Sequence, residues 1–116
     1  MIEARELLAR SNTHEVALAC VEAGVEAAHP RNAIRDSVRL DGDRLVIGDR
    51  TDDLGGYDEV LVLGGGKAAG AIAVELEALL GDRLTGGAVV VPEAVETEVV
   101  EVFLGGHPLP DEGSVA

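Results

Sequence analysis

Lysine is nearly missing from this chain of 116 residues: Lys67 stands alone, and every other basic residue is an arginine, at positions 5, 10, 31, 35, 39, 44, 50 and 83. Aromatics are scarce as well, at 2%, with Tyr57, Phe103 and no tryptophan. A core must therefore be assembled from Val, Leu, Ile and Ala in thin layers, without bulky anchors. A single cysteine, Cys20, excludes an internal disulfide. No apolar run approaches the roughly 20 residues that span a bilayer, and the opening MIEAREL is too charged for a signal peptide. The cytosol is the expected compartment. Positive charge is short too: 22 acidic against 9 basic residues give −13, and the arginines are scattered. Such a field repels phosphate backbones and anionic lipid, so nucleic acid and membrane are not expected partners.

What is present fits one domain, since a chain of this length removes about two thirds of its unfolded surface from water and is too short for two ordinary domains. The excess of carboxylate with almost no lysine is what a halophilic protein carries, because the Debye length falls to about 3 Å at 1 M salt and mutual repulsion is screened. The plainer alternative is an acidic surface that serves solubility in ordinary cytosol.

From Thr13 to about Ala28 the residues Val16, Cys20, Ala23 and Ala27 recur at helical spacing beside a second stripe of Leu18, Val21, Val25 and Ala28. An amphipathic helix is predicted, with Thr13 as its cap, Glu15, Glu22 and Glu26 on the solvated face, and Cys20 in the core. Pro30 opens a short helix, PRNAIRDSV. Next, SVRLDGDRLVIG is two apolar alternations around Asp41-Gly42-Asp43, a β-hairpin, and DRTDDLGGYDE reads as a loop. Val60–Leu63 and Ala88–Val91 are apolar at every position, as strands covered on both faces are. Between them Ala69, Ile72, Leu76 and Leu79 mark a helix from about Gly66 to Leu80, stopped by Gly81. Together these form a right-handed βαβ unit. A strand from Val99 to Leu104 follows, its direction open. Pro110-Asp111-Glu112 reads as the first turn of a helix that the chain is too short to finish, and a truncated sequence is expected. The predicted fold class is α/β: a Rossmann-like layered domain with a mainly parallel sheet and flanking helices, preceded by N-terminal helices and a β-hairpin.

The stretch EVLVLGGGKAAG places Gly64, Gly65, Gly66 and Lys67 between strand and helix. Such a turn presents unpaired N–H groups and the positive end of a helix dipole to an anion. The phosphate-loop pattern fails, because Leu61 holds its first glycine position and Ala68 follows the lysine. The dinucleotide pattern GxGxxA is met by Gly64, Gly66 and Ala69, with Glu93 the nearest acid for a ribose. A lysine in the first helical turn opposes the dipole unless an anion meets it; otherwise it points to solvent or pairs with an acid such as Asp58, and the loop serves packing alone. His107, in the stiff loop GGHPLPD, is placed at the same sheet edge if the last strand is parallel; a hydrogen-bonded structural role is the commoner fate of such a residue. His14 and His29 have no partner in view.

Taken together, LDGDRL, YDEVLVLGGGKAA, LGDRLTGG and GGHPLPDEG, in this order and spacing, resemble the N-terminal part of the glycerate 2-kinase family, whose members also carry the older name hydroxypyruvate reductase. The likeness runs from about Ala23 to the end, and the acidity is similar to that of the haloarchaeal branch. The resemblance implies ATP-dependent phosphorylation of D-glycerate to 2-phosphoglycerate, with ATP and Mg²⁺ as cofactors, in a two-domain protein whose first domain is Rossmann-like. By that likeness Lys67 neutralises charge on the transferred phosphoryl group or the glycerate carboxylate, and Gly64, Gly65 and Gly66 hold a phosphate or carboxylate. His107 and Asp111 match the family's second loop, with no role attached. Family members run to several hundred residues, so residues 1–116 are expected to be one incomplete N-terminal domain, inactive alone. Whether a missing C-terminal domain or a homo-oligomer completes it stays open. Two other readings compete: an NAD(P)-dependent hydroxypyruvate reductase built on the GxGxxA turn, and a non-enzymatic truncated module whose exposed sheet edge pairs with another chain.

Overall fold

Apolar spacing and turn chemistry divide the chain into leading helices, a small antiparallel sheet and a small parallel sheet crossed by one helix. The computed structural model describes residues 2–115. Two helices lead: α1 (Arg5–Leu8), which periodicity did not reveal, and α2 (Asn12–Ala27). Ser11 rather than Thr13 caps α2, its side chain accepting from the His14 amide. Then α3 (Pro30–Ser37) starts with proline in its first turn, and the His29 ring accepts from the Arg31 amide. Both capping interactions satisfy orphan N–H groups that a helix start leaves.

The hairpin is present as β1 (Val38–Asp41) and β2 (Arg44–Ile47), paired antiparallel with Asp41 opposite Arg44. Gly42, at φ +61°, takes the left-handed geometry of the turn. Where a loop was predicted, β3 (Arg50–Asp53) adds a third antiparallel strand, Ile47 opposite Arg50. Its polar sequence RTDD hides it from any apolar pattern; the β2 ladder holds it instead, with an exposed Arg50–Asp52 ion pair at 2.8 Å along the strand itself.

The second sheet is parallel, in the order β4 (Leu61–Gly65), β5 (Gly86–Val91), β6 (Glu101–Leu104). The direction of the last strand is thereby fixed. Helix α4 (Ala69–Leu80) crosses from β4 to β5 and stops at Gly81, φ +53°. The core lies between α4 and this sheet: Val62, Ala73, Leu80, Leu84, Val89, Val91 and Val100 are all buried, with Val89 1% exposed. The carboxylate of Glu77 on α4 pins the approach to β6, accepting from the amides of Glu98, Val99 and Val100. Burial pushes that carboxyl's pKa up, but the three amides together outweigh it and the net shift is downward.

Two expectations need correction. The strands were read as covered on both faces, yet α4 covers only one; on the other, Leu61 is 53%, Leu63 74% and Phe103 42% exposed. Cys20 was placed in the core, yet it is exposed, because α2 packs mainly on α1 and α3 and buries none of its residues.

Candidate functional site

At the carboxyl edge of the parallel sheet the three strand ends are tied together. The Gly66 amide donates to the Val90 carbonyl at 2.9 Å, and the Gly105 amide to the Val91 carbonyl at 2.9 Å. Gly66, at φ +106°, turns the chain out of β4 in a conformation that only glycine adopts without strain. The turn reaches Ala68, which is the residue before α4. Lys67 therefore precedes the helix rather than occupying its first turn. Among the described residues the amides of Lys67 and Ala68 donate to no acceptor, and the Lys67 ammonium forms no ion pair with Asp58 or any other acid. Two free N–H groups and an unpaired cation thus stand at the amino end of a 12-residue helix, where the dipole adds positive potential.

A cleft of about 630 Å³ opens here, and Lys67, Glu93, Gly105, Gly106 and His107 line it. A neighbouring, more apolar cleft of about 530 Å³ carries Gly65, Gly66, Val90, Pro110 and again His107. His107 thus lies at the junction of the two, brought to Lys67 by the parallel course of β6. A larger groove of about 920 Å³ runs along α4, but its charged residues are Glu77, Glu96 and Glu98. That groove repels anions, whereas the smaller cleft carries the Lys67 cation.

The predicted site residues separate under this geometry. Gly65, Gly66, Lys67 and His107 line the paired clefts. Gly64 does not: it lies beneath α4, where a Cβ would come within 3.4 Å of the Ala69 methyl. Asp111 does not reach the clefts either. Its carboxylate accepts from the Gly106 amide at 2.9 Å and from the Ser114 amide at 3.2 Å, while the Ser114 hydroxyl accepts from the amides of Asp111 and Gly106, both at 3.2 Å. This reciprocal cap folds the Gly105–Ser114 loop around His107. Three contributors escaped sequence reasoning: Gly105 and Gly106, whose pairing before His107 repeats the glycine-turn chemistry of residues 64–66, and Ser114, which stands three residues after Asp111 as a capping box requires.

Two cofactor groups can be tested against these residues. Free amides beside an unpaired ammonium suit a phosphate or a carboxylate. For a divalent cation, no three His, Cys, Asp or Glu side chains gather among the described residues, and Glu93 alone makes no cage. A magnesium ion here would be carried mainly on nucleotide phosphates.

Comparison with known proteins decides the family. Residues 16–116 match the family described as "Domain of unknown function (DUF4147)". The chain belongs to that family. It is 33% identical over 86 residues to a glycerate kinase of Danio rerio, covering 74% of this chain and 17% of that protein. It is 31% identical over 102 residues to the glycerate 2-kinase of Pyrococcus horikoshii, covering 87% of this chain and 22% of that protein. A crystal structure of a protein from Pyrococcus horikoshii OT3 superposes with a TM-score of 0.76 at 27% identity, over 90% of this chain and 24% of that one. The resemblance to the glycerate 2-kinase family thus holds in both sequence and fold. The DUF4147 chain spans about a fifth of the length of these two kinases.

Proposed function

We propose that this DUF4147 chain supplies the anion-binding half of a kinase site that transfers phosphate from ATP to the 2-hydroxyl of D-glycerate, giving 2-phosphoglycerate. One observation carries the reading: the unpaired Lys67 ammonium stands beside the free amides of Lys67 and Ala68, in a cleft shared with His107. In the reaction the hydroxyl oxygen bonds to the terminal phosphorus, the bond to the leaving ADP breaks, and the hydroxyl proton departs. Negative charge spreads over the phosphoryl oxygens meanwhile, and catalysis rests on positioning and neutralising it. Lys67 meets that charge or the glycerate carboxylate, and the two amides hold an anionic oxygen without moving. Magnesium on the nucleotide would add further neutralisation. The relatives do not favour a reductase, since both named proteins are kinases.

The test is an ADP-release assay with D-glycerate in molar KCl, on this chain alone and on this chain joined to the remaining residues of the Pyrococcus relative. Replacing Lys67→Ala is expected to lower turnover by about 100-fold, the usual loss of one preorganised charge-stabilising donor. It is also expected to weaken ATP binding to the 116-residue chain in calorimetry. Unchanged turnover and unchanged nucleotide affinity in that variant would remove the assignment.

A further inference from the structure

Beyond β6 the chain makes a loop that little apolar burial holds. Leu109 is 78% exposed, and Pro108 and Pro110 are exposed as well. Polar contacts and close-packed backbone close it instead. The Gly105 amide ties the loop to Val91 of β5, and the Gly106 amide donates to the Asp111 carboxylate at 2.9 Å and to the Ser114 hydroxyl at 3.2 Å. Three glycines allow this closeness. A Cβ would lie 2.6 Å from the Ser114 hydroxyl oxygen at Gly105, 2.5 Å from the Leu109 carbonyl oxygen at Gly106, and 2.5 Å from the Leu104 carbonyl oxygen at Gly113. Backbone atoms cannot swing clear as a side-chain tip can, so the loop has one way to close.

Ordering a loop costs conformational entropy at every residue, and what this ordering fixes is the residue after Gly106. His107 is exposed, and its ring makes no ion pair among the described residues. The hydrogen-bonded structural fate belongs to the other two histidines: the His14 ring meets the Ser11 hydroxyl at 2.7 Å, and the His29 ring accepts from the Arg31 amide at 3.3 Å. The His107 ring bonds to no described residue and lines the cleft that Lys67 lines. In either tautomer an imidazole keeps one N–H to donate. Two unpartnered donors thus share one cleft, with Glu93 as its acid.

We propose that Asp111 is a positioning residue which, through Gly106 and Ser114, holds the His107 ring in the Lys67 cleft, where an imidazole N–H donates to the anionic group that Lys67 meets. This rests on the reading of the cleft as part of a phosphate-transfer site, and adds the side chain that joins Lys67 there. The group recognised is a phosphate or carboxylate, carried by ATP or by D-glycerate. Donors held in place before the ligand arrives have little freedom left to lose when it binds.

Ring signals of the three histidines in proton–carbon NMR test this, with His14 and His29 on the leading helices as internal references. ATP and D-glycerate are titrated separately into the 116-residue chain and into this chain joined to the remaining residues of the Pyrococcus relative. The His107 signal alone is expected to shift with at least one ligand, which identifies the source of the anion. His107→Ala is expected to weaken binding of that ligand about tenfold, the worth of one hydrogen bond to a charged group. In Asp111→Ala the His107 response is expected to disappear, with unchanged circular dichroism because the loop lies outside the core. Asp111→Asn, whose oxygen still accepts from the Gly106 and Ser114 amides, is expected to restore it. Gly106→Ala, which leaves the carboxylate in place, is expected to act as Asp111→Ala does. A still His107 signal beside binding that Lys67→Ala weakens would overturn this inference and leave the reading of the cleft intact. No binding, or binding indifferent to both Lys67→Ala and His107→Ala, would remove both. A full response in Asp111→Ala would take the positioning role from Asp111, and a ring signal moved by Glu93→Gln but by neither ligand would give the ring to Glu93.

Discussion

The Asp111 carboxylate accepts from the Gly106 amide, and this, ahead of any other contribution, holds its pKa below the usual aspartate value of 3.8. Partial desolvation pushes the other way and the Ser114 contacts add to the lowering. Because the folded-state value is depressed, this group's stabilisation is fully present above the ordinary value and is lost as pH falls through the lowered one. The Gly105–Ser114 loop should therefore loosen only in acid, below about pH 4, while the core persists. Exchange of the Gly106 amide between pH 7 and pH 3 reads this directly. In Asp111→Asn the side-chain oxygen still accepts the bond but does not titrate, so the acid step should vanish; an identical step in that variant would assign it to another group. Lys67 was expected in the first helical turn, yet the helix starts only at Ala69. The lysine belongs to the turn that Gly66 makes, and what marks it is the absence of an ion-pair partner among the described residues rather than opposition to the dipole. That absence was not legible in the sequence, because twenty-two acids offered partners and only the fold shows which lie within reach.

Between elements, the βαβ unit was legible because its signals are local: an unbroken apolar strand, a helical stripe, and Gly81 at the stop. Strand β3 was not, since RTDD has neither alternation nor β-branched bulk and its strand state comes from pairing with β2. The open sheet face was not legible for a related reason: Leu61 and Leu63 look the same whether a layer covers them or not. The fit of α4 onto the sheet is likewise a property of the fold. At Gly70 a Cβ would lie 2.9 Å from Val95 Cγ1, 3.3 Å from its Cγ2 and 3.4 Å from Val91 Cγ1. Both neighbours are β-branched and stiff, so they cannot rotate clear. Gly70→Ala should gain helix propensity worth somewhat under about 1 kcal/mol and lose about 1–3 kcal/mol to overpacking. The net expectation is destabilisation by about 1 kcal/mol or more, seen as a lower urea midpoint with an unchanged slope. A raised midpoint would mean that Val95 and its loop yield freely. Because Val95 also lines the cleft with Lys67, the same substitution should disturb anion binding before it unfolds the chain.

Across the whole molecule, attraction and repulsion between charges compete, and salt acts on both. The described residues hold five ion pairs, of which Arg35–Glu75 is the best made, with two contacts at 2.8 and 3.0 Å and Glu75 only 10% exposed. Exposed pairs of this kind contribute about 0–1 kcal/mol each, so their loss to screening is small. Against them stands a net charge of −13, spread over a surface that folding brings closer together. Screening removes more repulsion than attraction, and KCl should stabilise the fold. Raising KCl from 0.1 to 2 M is expected to lift the melting temperature by several degrees, about 4–8 °C for each kcal/mol gained in a domain of this size. A melting temperature that falls with salt would mean that the five ion pairs outweigh the repulsion, and the acidic surface would then be serving solubility rather than folding in brine.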